Sequence, residues 1–251
     1  MKRENHGRIC IPCIAFQESR TAMNRLVQPE LLDTLPFEDP RAIHSRRDLR
    51  RINAWMRNHT IMAAALQTAV NGRVPGHITD LGAGDGHFLV RVAKKISPRW
   101  PGLSATLLDN QKATSLQTLT SFTPLGWRAE AVTADVFDWL PAAAGLDVVV
   151  ANLFLHHFND PRLAELFRAI AGGARLFIAI EPRRAPRPLF CSRLLWAIGC
   201  NSVTRHDAAV SVRAGFSGNE LSALWPVDGR WQLTEHGTGL FSHLFVARRT
   251  D

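Results

Sequence analysis

The stretch DLGAGDGHF at residues 80–88 sets glycine at 82, 84 and 86, directly after the β-branched pair Ile78-Thr79 and Asp80. Glycines this dense cost backbone entropy. They are kept where the chain must turn tightly or where a ligand presses against the main chain.

The flanking residues place this loop in a fold. HITDLG (77–82) reads as a strand and DGHFLVRVAKKI (85–96) as an amphipathic helix. LSATLLDN (103–110), RAEAVTAD (128–135), LDVVVANL (146–153) and ARLFIAIEP (174–182) read as further strands. The run at 146–153 is apolar enough to be buried on both faces. Helical runs separate them: one reaches about Ser121, another is DPRLAELFRAIAGG (160–173). In the latter Asp160 is the expected N-cap, with Pro161 at the first helical position and a glycine stop. WQLTEHGTG and LFSHLFVARR close the chain as two strands around a short turn at Gly237–Gly239. Strands alternating with helices imply a parallel sheet with helices on both faces, and the closing pair adds an antiparallel edge hairpin.

Upstream, Pro40 to Asn71 reads as helices, with Leu49, Ile52, Trp55, Met56, Ile61, Met62, Leu66 and Val70 at helical spacing and Asn71-Gly72 as a stop. Residues 1–22 show no period and are expected to be a disordered extension, with Met23 an alternative start. The expected organisation is therefore a helical cap over 23–74 and an α/β domain over 75–251, with a lid insertion at about 183–216.

Composition narrows the functional classes. Hydrophobic residues make up 46% of 251, and no run approaches the 18–20 apolar residues of a membrane span. The basic start lacks the apolar core of a secretion signal, so a cytoplasmic location is expected. The charge of +8 is compatible with nucleic acid or with peripheral membrane association. Its arginines are spread along the whole chain, however, as in a generally Arg-rich composition. Cys10-x-x-Cys13 is half a zinc motif with no second pair or histidine pair at usual spacing, so no metal is expected.

A dinucleotide fingerprint reads G-x-G-x-x-G/A, whereas here Gly84 is followed by Asp85, Gly86 and His87. The series Asp80-x-Gly82-x-Gly84-x-Gly86 instead resembles motif I of the class I S-adenosylmethionine-dependent methyltransferases of small-molecule type, including the ubiquinone and menaquinone group. Asp109 with Asn110 at the end of the second strand, Asp135 with Val136 after the third, and Asn152 after the fourth continue the likeness. The resemblance covers about 75–249. It implies a Rossmann-like seven-stranded, mostly parallel sheet with an antiparallel edge hairpin. It also implies S-adenosyl-L-methionine as cofactor: the glycines make room for it, Asp80 contacts its amino group or supports the loop, Asp109 reads the ribose, Asp135 and the Val136 backbone read the adenine, and Asn152 lies beside the reacting groups. The residues also leave aspartate as a plain helix cap open for Asp109 and Asp135. SRRDLRRINAWM (45–56) offers arginines for the donor's carboxylate.

Methyl transfer to a hydroxyl needs its proton removed, and histidine is the usual agent. Candidates are His156 and His157 in LFLHHF, at the mouth of the sheet, and His206 beside Asp207 in TRHDAAVSVRAGF (204–216). Leu189, Phe190, Leu194, Leu195, Trp196 and Ile198 would line an apolar acceptor pocket or pack as core. The expected acceptor is a hydrophobic small molecule of secondary metabolism, methylated on a phenolic or polyketide-like oxygen, with carbon of a quinone-like ring the alternative. Asn152-Leu153-Phe154-Leu155 lacks the Pro-Pro-aromatic run of base amino-methyltransferases, and no Pro-Cys lies there, so a nucleic-acid acceptor is not expected. Two other classes are open: a nicotinamide-dependent oxidoreductase, disfavoured by the chain's lack of tyrosine, and a non-catalytic cofactor-binding protein.

Overall fold

A computed structural model describes residues 23–36 and 38–250. Residues 1–22, including the Cys10–Cys13 pair, lie outside them. The β-branched and aliphatic runs form seven strands: β1 His77–Leu81, β2 Ser104–Asp109, β3 Arg128–Thr133, β4 Val148–Asn152, β5 Leu176–Pro182, β6 Trp231–Thr238 and β7 Ser242–Arg249. Their order is β3-β2-β1-β4-β5-β7-β6, with β7 antiparallel to both neighbours and the other pairs parallel. The order reverses between β1 and β4, so the ends of these strands open a crevice suited to a ligand. The central strands β4 and β5 are almost wholly buried.

Among the described residues ten α-helices accompany the sheet: α1 Leu31–Thr34, α2 Pro40–Met56, α3 Asn58–Ala69, α4 His87–Ile96, α5 Leu116–Thr120, α6 Val136–Ala142, α7 Asp160–Gly173, α8 Pro186–Arg193, α9 Ser202–Ala214 and α10 Glu220–Leu224. Two apolar cores lie on opposite faces. On one, α3 (Met62, Leu66, Val70) and α4 (Leu89, Val92, Ala93, Ile96) cover Ile78, Val148, Val150 and Ile178. On the other, α7 (Leu163, Leu166, Phe167, Ile170) covers Val149, Ala151, Phe177 and Phe245. Within the N-terminal helical region, α3 thus packs directly on the sheet.

Two local expectations are corrected. The N-cap of α7 is Asn159, whose side chain accepts from Arg162 N–H; Asp160 and Pro161 are its first two residues. The segment after β5 encloses no apolar pocket: Phe190, Leu194, Trp196 and Ile198 point to solvent, and Leu189 and Leu195 are half-buried. Among the described residues, no helix is long and apolar enough to cross a membrane.

Residues 23–36 form a strap across one end of the sheet. The Arg25 guanidinium donates to the carbonyls of Ala214 and Phe158 and pairs with Asp160. Leu26 N–H donates to Arg213 O, and the Asp207 carboxylate accepts from the N–H groups of Leu31 and Leu32 at the start of α1. Buried Arg184 donates to the carbonyls of Met23 and Gly215 and pairs with Glu220. The strap is thus pinned to α9 and to the turn after β4.

Candidate functional site

The glycine loop leaves β1 with Gly82, Gly84 and Gly86 all at positive φ (67°, 54° and 74°), a conformation that L side chains rarely adopt. The three differ in what a side chain would meet. A Cβ on Gly86 would lie 2.9 Å from both Leu107 Cδ1 and Thr118 Cγ2, and one on Gly82 would lie 2.3 Å from the Phe154 ring. Gly84 alone has open space, with nothing within 4 Å. Packing therefore requires glycine at 82 and 86 as well, whereas at 84 only the backbone conformation does.

The Asp109 carboxylate stabilises this loop from the end of β2. Its Oδ2 accepts from Gly84 N–H at 2.8 Å and its Oδ1 from Gln111 N–H at 2.8 Å. Asn110 is exposed beside it. An open pocket of about 410 Å³ adjoins, lined by Leu35, Glu38, Gln111 and Lys112. Asp135 caps α6, accepting from Phe137 N–H at 2.8 Å, and Val136 opens that helix with its side chain buried.

Asp80 is only 1% exposed, and its Oδ2 has no hydrogen-bond partner among the described residues. Burial first, and the nearby Asp109 carboxylate second, push its pKa up to about 8. A buried carboxylate oxygen without a donor is costly unless something supplies one. From above, α2 brings Arg50 to Asp85 of the loop at 3.0 Å, while buried Asp48 ties the same helix to α9 by accepting from Asn201 N–H.

The strand ends next to the loop carry the second half of the site. Asn152 Oδ1 accepts from Asn58 Nδ2 at 2.9 Å, and Asn58 Oδ1 accepts from Ser242 Oγ at 2.8 Å, a relay joining β4, α3 and β7. Trp55 and Phe241, each within three residues of that relay, hold their rings 5.2 Å apart, with Trp55 70% exposed. After Asn152 the chain turns through Leu153 at φ 56°, an uncommon conformation for a branched residue. Glu181, fully buried at the end of β5, receives the turn: its Oε1 accepts from the N–H groups of Phe154 and Leu155, and its Oε2 from His156 N–H.

That turn sets His156 and His157 side by side, ring centroids 4.2 Å apart. His156 Nδ1 lies 2.8 Å from Glu181 Oε2 and its Nε2 3.4 Å from Glu30 Oε1 of the strap. Burial alone would drive the proton off this ring, but hydrogen bonds to Glu181 and Glu30 outweigh it and hold the pKa up to about 9. Both nitrogens are thus engaged, so His156 alone is no free base, contrary to expectation. His157 Nδ1 lies 3.0 Å from Phe154 O, leaving Nε2 facing Glu30 at 3.8 Å and Asp33 at 4.0 Å. Desolvation raises the Glu30 carboxyl, but hydrogen bonds from His156 and His157 overcome it and hold the group below the usual carboxylate range.

His206 stands elsewhere. It lies on α9, half exposed, with Nδ1 3.0 Å from Asp207 Oδ1. Among the described residues no hydrogen bond or ion pair joins it to the other two histidines, and Asp207 is occupied with the strap. Sequence reasoning missed Glu30 and Asp33 altogether.

Comparison with known proteins agrees with this architecture. Residues 78–174 match the family described as "Methyltransferase domain". An uncharacterized methyltransferase of Mycobacterium tuberculosis is 36% identical over 88 residues, 35% of this chain, and Mycobacterium bovis has a relative with the same figures. The chain spans 40% of the length of these curated relatives. Among solved structures, the plantazolicin methyltransferase BamL in complex with a triazolic desmethylPZN analog and SAH superposes with TM-score 0.63 at 14% identity, over 86% of this chain and 93% of that one. The mitomycin 7-O-methyltransferase MmcR gives 0.53 at 22% identity, over 87% and 60%. An O-methyltransferase family protein from Burkholderia thailandensis gives 0.55 at 19% identity, over 85% and 61%. Residues 78–174 thus match a methyltransferase domain, and the chain as a whole shares the fold of these solved methyltransferases.

Proposed function

We propose that the chain is an S-adenosylmethionine-dependent methyltransferase acting on a hydroxyl oxygen of a hydrophobic small molecule. The observation that carries the donor assignment is Asp80. Its unpartnered, buried carboxylate oxygen sits on β1 just before a loop whose one open glycine, Gly84, leaves room for a ligand. An ammonium group is the partner such an oxygen lacks, and the donor's methionine portion has one. Asp109 and the pocket at Gln111 and Lys112 would receive the ribose, and Asp135 with the Val136 backbone the adenine. Arg50, over the loop, is the nearest candidate for the donor carboxylate. When bound, the donor would supply an activated methyl group for transfer to the acceptor oxygen.

The protein's own share is proximity, orientation and removal of the acceptor's proton. Asn152, fixed by Asn58, marks where donor and acceptor meet. The Glu30–Asp33–His156–His157 cluster is the polar group beside it that can accept or displace the proton. Exposed Trp55 and half-buried Phe241, beside the Asn58 relay, favour a greasy acceptor. Oxygen is preferred over carbon because two structural neighbours are named O-methyltransferases.

Parallel calorimetric titrations with S-adenosylmethionine, S-adenosylhomocysteine and NADPH test the donor. Binding of both adenosyl ligands, weakened at least tenfold by Asp109→Ala, is the expected result. Absent adenosyl binding, or tight nicotinamide binding, would sink the proposal. Mass-spectrometric screening of lipophilic phenols for a methyl adduct then tests the acceptor class.

A further inference from the structure

We propose that Glu30, His156 and His157 form a binding site for a divalent transition-metal ion, with Asp33 in reach as a fourth ligand. One ligand atom from each of the first three lies within 4.8 Å of the others. Ligands on bonds of about 2.0–2.2 Å to one tetrahedral ion stand about 3.3–3.5 Å apart. His156 Nε2 to Glu30 Oε1 is 3.4 Å, while His157 Nε2 to Glu30 Oε2 is 3.8 Å and to Asp33 Oδ2 4.0 Å. The first pair is already at coordination spacing, and the other two need to close by about half an ångström.

The shell behind these atoms is the stronger reason. A metal-bound histidine characteristically donates its second ring N–H to a carboxylate or a backbone carbonyl, which fixes the tautomer and turns the lone pair toward the ion. Both arrangements occur here: His156 Nδ1 on Glu181 at 2.8 Å and His157 Nδ1 on Phe154 O at 3.0 Å. Each leaves Nε2 facing Glu30. The Glu30 carboxylate is itself held by the Ser211 hydroxyl of α9. All three ligands are therefore oriented by a partner outside the cluster.

Charge agrees. Glu30, Asp33 and Glu181 lie against the two imidazoles. A divalent ion balances such a set as two ring protons would. Two histidines with one or two carboxylates is a donor set suited to Zn²⁺, Fe²⁺ or Co²⁺, whereas Mg²⁺ and Ca²⁺ favour oxygen ligands. If the methyl-transfer proposal holds, on which this last point rests, the ion would act as a Lewis acid that lowers the pKa of a bound acceptor hydroxyl.

The test uses the tag-free full chain carrying Cys10→Ser and Cys13→Ser, so that the cysteine pair contributes no ligand. Stripped protein is titrated with Co²⁺ and then Zn²⁺, following visible absorption, with metal content measured after dialysis. Expected are one ion per chain, cobalt bands displaced by zinc, and loss of at least about tenfold in affinity in Glu30→Gln and in His157→Ala. His157 is partly exposed and Glu30 mostly buried, and circular dichroism of both variants should match the parent. Absence of binding, or equal binding in both variants, overturns the site. S-adenosylhomocysteine titrated into the same samples separates the proposals. Donor binding without metal overturns only the metal site; metal without donor overturns only the methyltransferase assignment.

Discussion

The division of labour among the loop glycines makes a measurable prediction. Gly84→Ala and Gly86→Ala impose nearly the same backbone strain, since φ is 54° and 74°, worth about 1–2 kcal/mol for an L residue held left-handed. Alanine also loses less entropy on folding than glycine, an offset of about 0.4–1 kcal/mol. The strain net of that offset is all Gly84→Ala should show, about 1 kcal/mol. Gly86→Ala adds a methyl 2.9 Å from Leu107 and Thr118, on a sheet strand and a helix that cannot easily yield, and overpacking of this kind costs about 1–3 kcal/mol more. Urea unfolding should therefore place Gly86→Ala about 2 kcal/mol below Gly84→Ala, close to 1 M in midpoint for a slope near 2 kcal/mol/M. Affinity for S-adenosylhomocysteine should run the other way. The methyl at 84 enters the open space and weakens binding, while folded Gly86→Ala retains more of it. Equal stabilities, or a larger loss at 84, would refute the packing assignment.

Asp80 sets a pH dependence. Its carboxyl is raised in the fold, so its stabilising contribution to the ligand-free protein is full below the unfolded value, near pH 4, and is lost as pH rises through about 8. Thermal melts between pH 6 and 9 should show this decline, absent in Asp80→Asn. Binding of an ammonium ligand favours the ionised form, so donor affinity should climb toward pH 8 in the parent and stay flat in Asp80→Asn by calorimetry. Glu181→Gln should lower kcat while leaving S-adenosylhomocysteine affinity within a few-fold, because it holds the His156 turn and not the glycine loop. Arg184→Met should lower unfolding stability by about 2 kcal/mol, the scale of leaving buried carbonyls without their charged donor, since it removes the buried guanidinium that joins the strap and the end of α9 to the partly exposed Glu220.

The sheet was legible because buried parallel strands must be apolar on both faces. Val148, Val149 and Val150, like Ile178, Ala179 and Ile180, leave no polar alternation to misread. The antiparallel pair was legible from two strand runs joined by a short turn. Local propensity ran out where neighbouring residues offer the same service. Asn159 and Asp160 can both cap a helix, and the winner depends on where the chain leaves the turn after β4. The 189–198 run failed for another reason: apolar spacing tells that a face exists but not what covers it, and here nothing among the described residues covers Phe190, Trp196 or Ile198.

The two halves of the site differ in the same way. The donor half sits on one contiguous loop and on carboxylates at strand ends, positions that strand spacing locates once the fold is guessed. Even there, only the folded chain separates Gly84 from Gly86, because the Leu107 and Thr118 contacts that forbid a side chain come from other elements. The acceptor half is assembled across 126 residues, from Glu30 to His156, on a strap whose course is set by Arg25, Arg184 and Asp207. No spacing rule joins those positions. The sequence did offer one clue, Glu181 at the end of an otherwise apolar strand. An acid buried there must find donors, and the nearest are the free N–H groups of the turn that follows β4. A charge at the end of a central strand therefore foretells both an ordered turn and the orientation of the histidine it carries.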